Sequence, residues 1–382
     1  MSVSYGGDSI TFADGSVQSG GWTGFKNRVI NGAMTVSQRY ANTNTSVAAG
    51  ASTYTPDRFR CDTYSSGQTI FVQQVTDAPA GFNKSLKITI GTANSSPSSA
   101  NSDFCGTNHL IEGYNVADLN WGTSSAKTIT VSFWVKCSSN GTFGVSYDNY
   151  KINSDGDGGG QDNVYVSTYT INSANTWEYK TITIPGCQTG VWGKTNDRGL
   201  NLRWCLGASS GTTTGSPNTW LAGSANYQRT SACVQLAATS GATWQITGVQ
   251  CEIGSTASSF EWRPYTTELA LCQRYFAKSY DIATAVGTAT RNGYVNWNFQ
   301  NLSNYGVVVI YLPVRMRAAP TSTNYNPDLT NTVGGRYWNG SAEVAFTGSM
   351  SGWTNYQSNI QFNKDGTNST NMLIQWTADA EL

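Results

Sequence analysis

Apolar and polar residues alternate with a period of two along much of the chain. The segment from Thr128 to Lys136 shows this clearly, because four apolar residues share one face of an extended chain. The same period recurs in 164–166 and 200–206, and clusters of Gly, Asn, Ser and Asp separate the runs. This pattern is typical of antiparallel strands in a β-sandwich and predicts an all-β protein.

A single helix is predicted over residues 265–279. Thr266 or Thr267 can cap its first turn, and Glu268 lies near the positive end of the helix dipole. Apolar residues then recur at helical spacing. Because strand-rich regions flank this helix, we expect a domain junction here, with one β domain over 26–264 and a smaller β-sandwich over 280–382.

Two patterns in the smaller region concern strand pairing. Gly306 to Val314 is apolar almost throughout, so both of its faces need a cover. That cover is either a second layer of the same sandwich or another subunit. Ile360 to Asn363 and Met372 to Thr377 flank a polar, glycine-containing loop, which predicts a closing hairpin.

Composition argues against several functions. Twenty-three Lys and Arg balance 23 Asp and Glu without forming a basic block, so no nucleic-acid partner is expected. The longest apolar run is far shorter than the ~20 residues that cross a bilayer, and no export signal is present. We therefore expect a soluble chain without membrane insertion.

The eight cysteines never approach a CxxC spacing, which favours buried thiols over zinc ligands or disulfides.

Several motifs resemble those of bacteriophage tail-fibre and receptor-binding proteins. They occur in the order found in that family and cover most of the chain: "DSITFADGSVQS", "NRVINGAMTVSQR", "YTPDRFRCD", "NTWEYKTITIPG", "ITGVQCEIGSTASSFEWRPYTTELALCQRYF" and the final "WTADAEL". The resemblance implies a carbohydrate-binding-module-like jelly roll over 26–264, followed by the short helix and a β-sandwich tip. It also implies a homotrimer of the virion, made in the host cytoplasm and attached to a tail or baseplate protein through an arm at 1–25.

Three functions fit such a fibre. The favoured one is non-enzymatic recognition of a host cell-surface glycan. The alternatives are a polysaccharide-depolymerising, tailspike-like glycosidase, which needs two carboxylates in one cleft, and a purely structural baseplate protein. Catalysis is disfavoured because His109 is the single histidine, and because most of the available carboxylates lie in strand-like motif segments: Glu112, Asp118, Glu178, Glu252, Glu261 and Glu343.

Aromatic residues in polar loops are the candidates for glycan contacts. Sugar C–H faces pack on aromatic rings while polar side chains bond the hydroxyls. Two C-terminal stretches, rich in Gly, Asn and Ser, supply the first-ranked candidates: Arg336, Tyr337, Trp338, Trp353 and Tyr356. In the larger domain Trp134 and Trp192 rank second, whereas Trp204 and Trp297 fit core faces better.

One loop could hold a structural calcium ion. The stretch "NSDGDGGGQDN" offers Asp155, Asp157 and Asp162 as oxygen ligands. It departs from an EF-hand, because Gly159 and Val166 occupy positions that should carry ligands. A flexible glycine-rich loop is the simpler interpretation, and we expect no other cofactor.

Overall fold

The structure, a computed structural model, confirms the all-β prediction. It describes residues 4–6, 9–11, 17–19, 25–64, 66–99, 103–149, 163–222, 227–298, 305–338, 341–346, 349–351, 354–363 and 371–382. Within them lie 25 strands, one α-helix and four single-turn 3₁₀ helices. The strand pairs of the ladders are antiparallel.

The N-terminal residues form a small sheet of their own. Its strands β1 (Ser4–Gly6), β2 (Ser9–Thr11) and β3 (Val17–Ser19) pair in chain order. This sheet belongs to the segment that the family resemblance assigns to attachment, and that role stays a prediction.

The predicted jelly-roll region is a sandwich of two sheets. Its strands are β4 (Thr45–Val47), β5 (Ser52–Tyr54), β6 (Phe59–Asp62), β7 (Ile70–Val75), β8 (Ser85–Ile90), β9 (Phe104–Glu112), β10 (Ile129–Cys137), β11 (Gly141–Asp148), β12 (Asn163–Ile171), β13 (Glu178–Ile184), β14 (Arg198–Ala208), β15 (Trp220–Ala222) and β16 (Thr243–Ile253). One sheet has the order β13-β10-β16-β8-β7-β4, and the other β15-β12-β11-β14-β9-β6-β5. The 3₁₀ turns lie at Gly113–Asn115, Ala117–Leu119, Ser210–Thr212 and Leu236–Ala238.

The main core lies between these two sheets, and the sequence alternation explains it. Ile129, Val131, Phe133 and Val135 of β10 are all fully buried. Trp204 of the facing sheet meets Phe133 edge-on, with ring centroids 5.7 Å apart. Its predicted core position is confirmed, and such burial stabilises the fold by about 25 cal/mol per Å² of apolar surface.

A glycine bulge bends the six-stranded sheet. The register between β10 and β16 shifts between Ser132 and Trp134, so β16 carries one extra residue there. Gly248 has a φ of +62° at this point, a conformation that glycine adopts without strain. A Cβ atom on Gly248 would lie 2.7 Å from the Phe82 ring. Glycine therefore leaves room for aromatic side chains on the outer face of this sheet.

Helix α1 (Tyr265–Gln273) joins the sandwich to the C-terminal domain. It is shorter than the predicted 265–279, because Phe276–Lys278 already pairs as a strand with the end of the chain. The buried side of the helix packs Cys272 into a small junction core with Ile30, Val36 and Tyr275.

The last residues of the chain tie the C-terminal domain to the sandwich. Glu381 pairs with the fully buried Arg58 and lies 3.3 Å from Arg39. Arg39 also pairs with Asp379 at 2.8 Å. We call this group of Arg39, Arg58, Asp379 and Glu381 the C-terminal latch.

The C-terminal domain is built around its final strand. Its strands are β17 (Phe276–Lys278), β18 (Val295–Asn298), β19 (Tyr305–Tyr311), β20 (Thr321–Tyr325), β21 (Gly335–Trp338), β22 (Glu343–Phe346), β23 (Ser349–Ser351), β24 (Gln357–Asn363) and β25 (Asn371–Asp379). β25 pairs with β17, β18, β20 and β21, and β22 extends this sheet beyond β21. A second sheet has the order β19-β24-β23. Ile310, Met316, Tyr337, Met372 and Trp376 are among the buried core residues.

The predicted closing hairpin is wrong. β24 pairs along all seven residues of the apolar strand β19, whereas β25 lies in the other sheet. The glycine-containing loop indicated a turn, but the long apolar strand β19 is the partner that pairs with β24.

All eight cysteines are buried, and none forms a disulfide, which confirms the expectation of buried thiols. Among the described residues, no helix combines the length and the apolar character needed to cross a membrane.

Candidate functional site

Strand β21 carries three of the candidate residues, and its alternation divides them. Tyr337 points inward, is buried, and packs on Phe346 with ring centroids 6.3 Å apart. It is therefore a core residue that presents no ring to a ligand. Arg336 and Trp338 lie on the opposite, outer face of the sheet and are half-buried. We call the outer surface around Arg336 and Trp338 the tip face.

Neighbouring strands add polar groups to the tip face. Asn371 of β25 lies beside Trp338, and its Oδ1 accepts a hydrogen bond from the Trp338 backbone N–H at 3.1 Å. Glu343 of β22 pairs with Trp338 across the ladder. Asn296 of β18 shares the face of Arg336, because both are opposite Leu373 of β25. The indole ring is thus flanked by amide, carboxylate and guanidinium groups.

Two arginines and two carboxylates balance one another at the tip face. Arg291 donates to the two carboxylate oxygens of Asp328 at 2.7 and 2.8 Å, and also pairs with Glu343. Arg336 Nε lies 3.0 Å from Asp328 and 3.6 Å from Glu343. Hydrogen bonding from Arg291 lowers the pKa of Asp328, so the carboxylate stays ionised at neutral pH. The four charges sum to zero.

Sequence reasoning missed Arg291 and Asp328 as members of this group. Arg291 is 37 residues from Asp328 and 52 residues from Glu343 along the chain. No local motif links such distant positions. Arg291 precedes β18, Asp328 follows β20 and Glu343 begins β22, and these strands meet in the sheet built around β25.

Tyr356, another of the C-terminal candidates, does not join the tip face. Tyr356 is exposed and precedes β24 in the second sheet, where the Arg315 guanidinium lies 5.7 Å from its ring centroid. Tyr311 of the neighbouring strand is also exposed. Trp353 lies outside the described residues.

The two second-ranked tryptophans have different environments. Trp192 is buried and meets Trp121 and Trp220 edge-on, with ring centroids 4.6 and 5.6 Å away. It therefore offers little surface to a ligand. Trp134 is half-buried on the outer face of the six-stranded sheet, with its ring centroid 5.4 Å from that of the exposed Tyr179.

The single histidine is a core residue. His109 is buried against Phe59, with ring centroids 4.8 Å apart, and its Nε2 accepts the Ile30 backbone N–H at 3.3 Å. Burial, and then the nearby Arg58 charge, hold the pKa of His109 well below its ordinary value. The imidazole is therefore neutral at physiological pH and enclosed by the jelly roll.

The carboxylates considered for glycoside cleavage are all engaged within the chain. Glu112 is buried, pairs with Arg274 and accepts a hydrogen bond from the Tyr275 hydroxyl at 2.6 Å. The others accept hydrogen bonds from side chains or backbone groups: Asp118, Glu178, Glu252, Glu261 and Glu343. The calcium candidates Asp155, Asp157 and Asp162 lie outside the described residues, so that site stays a prediction.

No protein-family model matches this chain, and no curated protein matches it in sequence. Among solved structures, the enzymatically active domain of tailspike protein 4 of bacteriophage CBA120 matches 60% of this chain at 12% identity and a TM-score of 0.30. That match spans 22% of the tailspike chain. The CBM22-1 xylan-binding domain of Paenibacillus barcinonensis Xyn10C matches 57% of this chain and 99% of its own, at 12% identity and a TM-score of 0.25. A family 11 carbohydrate-binding module from Clostridium thermocellum matches 53% and 91%, at 13% identity and a TM-score of 0.27. Likenesses of this size assign no function.

Proposed function

We propose that this protein is a receptor-binding fibre protein of a bacteriophage tail, which recognises a saccharide of the bacterial envelope without cleaving it. The tip face carries the proposal. Trp338 offers a half-buried indole ring, and Arg336 lies two residues away on the same face. A pyranose ring can lay its C–H face on the indole while Arg336 and Asn371 bond its hydroxyls. The balanced charges favour a neutral or lightly charged saccharide.

The viral part of the proposal rests on the sequence motifs. In the fold, residues from three of these motifs contact one another. Arg39 comes from "NRVINGAMTVSQR" and Arg58 from "YTPDRFRCD", while Asp379 and Glu381 come from "WTADAEL". These four residues form the C-terminal latch. Motifs from both ends of the chain thus meet at one domain interface, which supports a resemblance across the whole architecture.

A binding role without catalysis is supported by the state of the titratable groups. His109 is enclosed and neutral, and so cannot serve as a base for a substrate at the surface. The carboxylates that a glycosidase would need are occupied by arginines, lysines, hydroxyls or backbone N–H groups. Recognition through stacking and hydrogen bonds requires none of them to be free.

Assembly as a homotrimer would strengthen weak sugar contacts. Among the described strands, β19 pairs with β24 alone, so its other edge is open to a neighbouring subunit. Tyr311 at the end of β19 is 71% exposed. Three linked tip faces raise avidity through effective concentration, while residues 1–25 would hold the fibre to a tail or baseplate protein.

Binding to immobilised envelope polysaccharides from a panel of bacteria tests the proposal. We expect the full chain to bind at least one polysaccharide while the number of reducing ends in the sample stays constant. Binding accompanied by a rise in reducing ends would instead establish a depolymerase. Binding to no polysaccharide in the panel would overturn the receptor role and favour a structural baseplate protein.

A further inference from the structure

A cavity of about 290 Å³ lies on the jelly roll, between the segments 27–35 and 260–268. Its wall includes Thr35, Asn83, Phe260, Trp262, Arg263 and Tyr265. The volume is at the lower end of the range for small-molecule sites, about 300–1,000 Å³. None of these residues belongs to the tip face.

Two rings that line the cavity, Phe260 and Trp262, belong to a cluster of three aromatic rings. Phe82, Phe260 and Trp262 contact one another, with ring centroids 5.0 to 5.1 Å apart. The cluster leaves its outermost ring open to solvent, since Trp262 is 55% exposed, and Tyr265 beside it is 48% exposed. Large exposed rings beside a concavity are characteristic of binding surfaces.

The backbone around this wall is held in place. The Glu261 carboxylate accepts the backbone N–H groups of Lys26 and Asn27 at 3.1 and 2.9 Å, directly before Trp262 in the chain. Directly after it, Arg263 donates to the Val29 carbonyl oxygen at 3.3 Å. The backbone that carries the indole is therefore held on both sides before any ligand arrives, which lowers the entropy cost of binding.

Polar groups along the cavity are available to hydroxyl groups. Among the described contacts, the Thr35 hydroxyl and the Asn83 amide, which both line the cavity, form no hydrogen bond. Arg263 pairs with the Glu261 and Glu268 carboxylates at 3.2 and 3.4 Å, so the charged residues of the lining sum to one negative charge. The cavity therefore combines an aromatic wall with free hydrogen-bonding groups and a small negative charge, which disfavours an anionic ligand.

We propose that this cavity binds one pyranose ring of a neutral saccharide, at a site separate from the tip face. The C–H face of the sugar packs on Trp262, and its hydroxyls bond Thr35 and Asn83. Beyond Phe82 the aromatic surface continues to Trp134 and Tyr179, since the Phe82 and Trp134 rings both border Gly248. Further sugar units can follow this row. The inference does not depend on the proposed receptor function.

Isothermal titration of the full chain with neutral monosaccharides tests the site. The panel contains glucose, galactose, mannose, N-acetylglucosamine and N-acetylgalactosamine at up to about 50 mM, the range in which single-sugar contacts are detectable. All measurements use the Trp338→Ala background, so that the tip face does not contribute. We expect binding of at least one sugar, and an affinity loss of about tenfold on adding Trp262→Ala. The exposed Tyr114 lies outside the cavity, and Tyr114→Ala is the matched control.

Because Trp262→Ala could disturb the ring cluster, a second test uses Thr35→Val, in which the new side chain has nearly the same shape as the old one. Loss of the hydroxyl should weaken binding about threefold to tenfold while the melting temperature stays unchanged. Absence of binding by every sugar would overturn the inference, and so would equal affinity in the Trp262→Ala and Tyr114→Ala proteins. A trimer that falls apart on Trp262→Ala would show that the rings contact a second copy of the chain instead of a sugar.

Discussion

Removal of the Glu381 charge tests how the two domains are held together. The Glu381 side chain is 6% exposed and faces Arg58, which is 1% exposed, and Arg39. The Arg58 guanidinium also stacks on Tyr275, with its carbon atom 3.5 Å from the ring centroid, so it cannot turn towards water. Glu381→Gln therefore leaves two buried guanidinium groups without this counter-charge.

The expected loss can be worked out from the burial. Removing one partner of a buried ion pair costs about 3–5 kcal/mol, because the remaining charge stays in a medium of low polarity. With an unfolding entropy of about 2.1 cal/mol/K per residue, 382 residues that unfold together give about 0.8 kcal/mol/K. The melting temperature should therefore fall by about 4–6 °C. Asp379→Asn is the matched control, since Asp379 also pairs with Arg39 but is 43% exposed, and its loss should cost less than about 1 kcal/mol.

Differential scanning calorimetry of the two variants and the wild-type protein measures this contrast. We expect Glu381→Gln to lower the melting temperature several times more than Asp379→Asn does. A Glu381→Gln protein as stable as the wild type, or equal losses in both variants, would refute the idea that buried charge pairing holds the C-terminal domain on the sandwich.

The remaining predictions concern the tip, the assembly and the arm. Arg291 holds the pKa of Asp328 below its unfolded value of about 3.9. The ionised Asp328 therefore stabilises the folded protein fully above that pH, and this stabilisation is lost as the pH falls through the lowered pKa. The difference in melting temperature between the wild type and Asp328→Asn should therefore be smaller at about pH 3 than at about pH 6. An equal difference at both pH values would contradict this prediction. Light scattering at micromolar concentration should return the mass of a trimer, and a monomer mass would end the oligomer prediction. Deletion of residues 1–25 should leave a folded, soluble protein that no longer joins the particle, whereas continued incorporation would place the attachment site elsewhere.

Alternation in the sequence predicts the jelly-roll core because residues two apart share a face in any strand. That rule places Phe133, Val135 and Trp204 correctly. It fails for Trp297, which has the alternation of a core strand and yet is 37% exposed. Among the described strands, β18 pairs with β25 alone, so one edge of β18 has no neighbouring strand to cover the ring. Whether a strand lies at the edge or the centre of a sheet depends on the whole fold, and local alternation does not reveal it.

The candidate site was predictable only in part. Clusters of glycine and asparagine pointed to Arg336, Tyr337 and Trp338 as exposed, but these residues form a strand, and the strand turns Tyr337 into the core. Separating the outer pair from the inner residue requires knowing which face of β21 is covered. Arg291 and Asp328 could not be identified from the sequence, because their partners lie in distant segments.

The central claim is that saccharide binding takes place on the tip face through Trp338. Trp297 provides the matched control, because it shares the opposite face of the same sheet with Tyr337 and is also partly exposed. The affinity of Trp338→Ala and Trp297→Ala for the polysaccharide bound by the wild type is therefore the most direct measurement. We expect the affinity of Trp338→Ala to fall about tenfold at each site, and far more in the trimer. The affinity of Trp297→Ala should stay within about twofold of the wild-type value. Unchanged binding by a folded Trp338→Ala protein, or an equal loss in both variants, would contradict the assignment of the tip face as the receptor site.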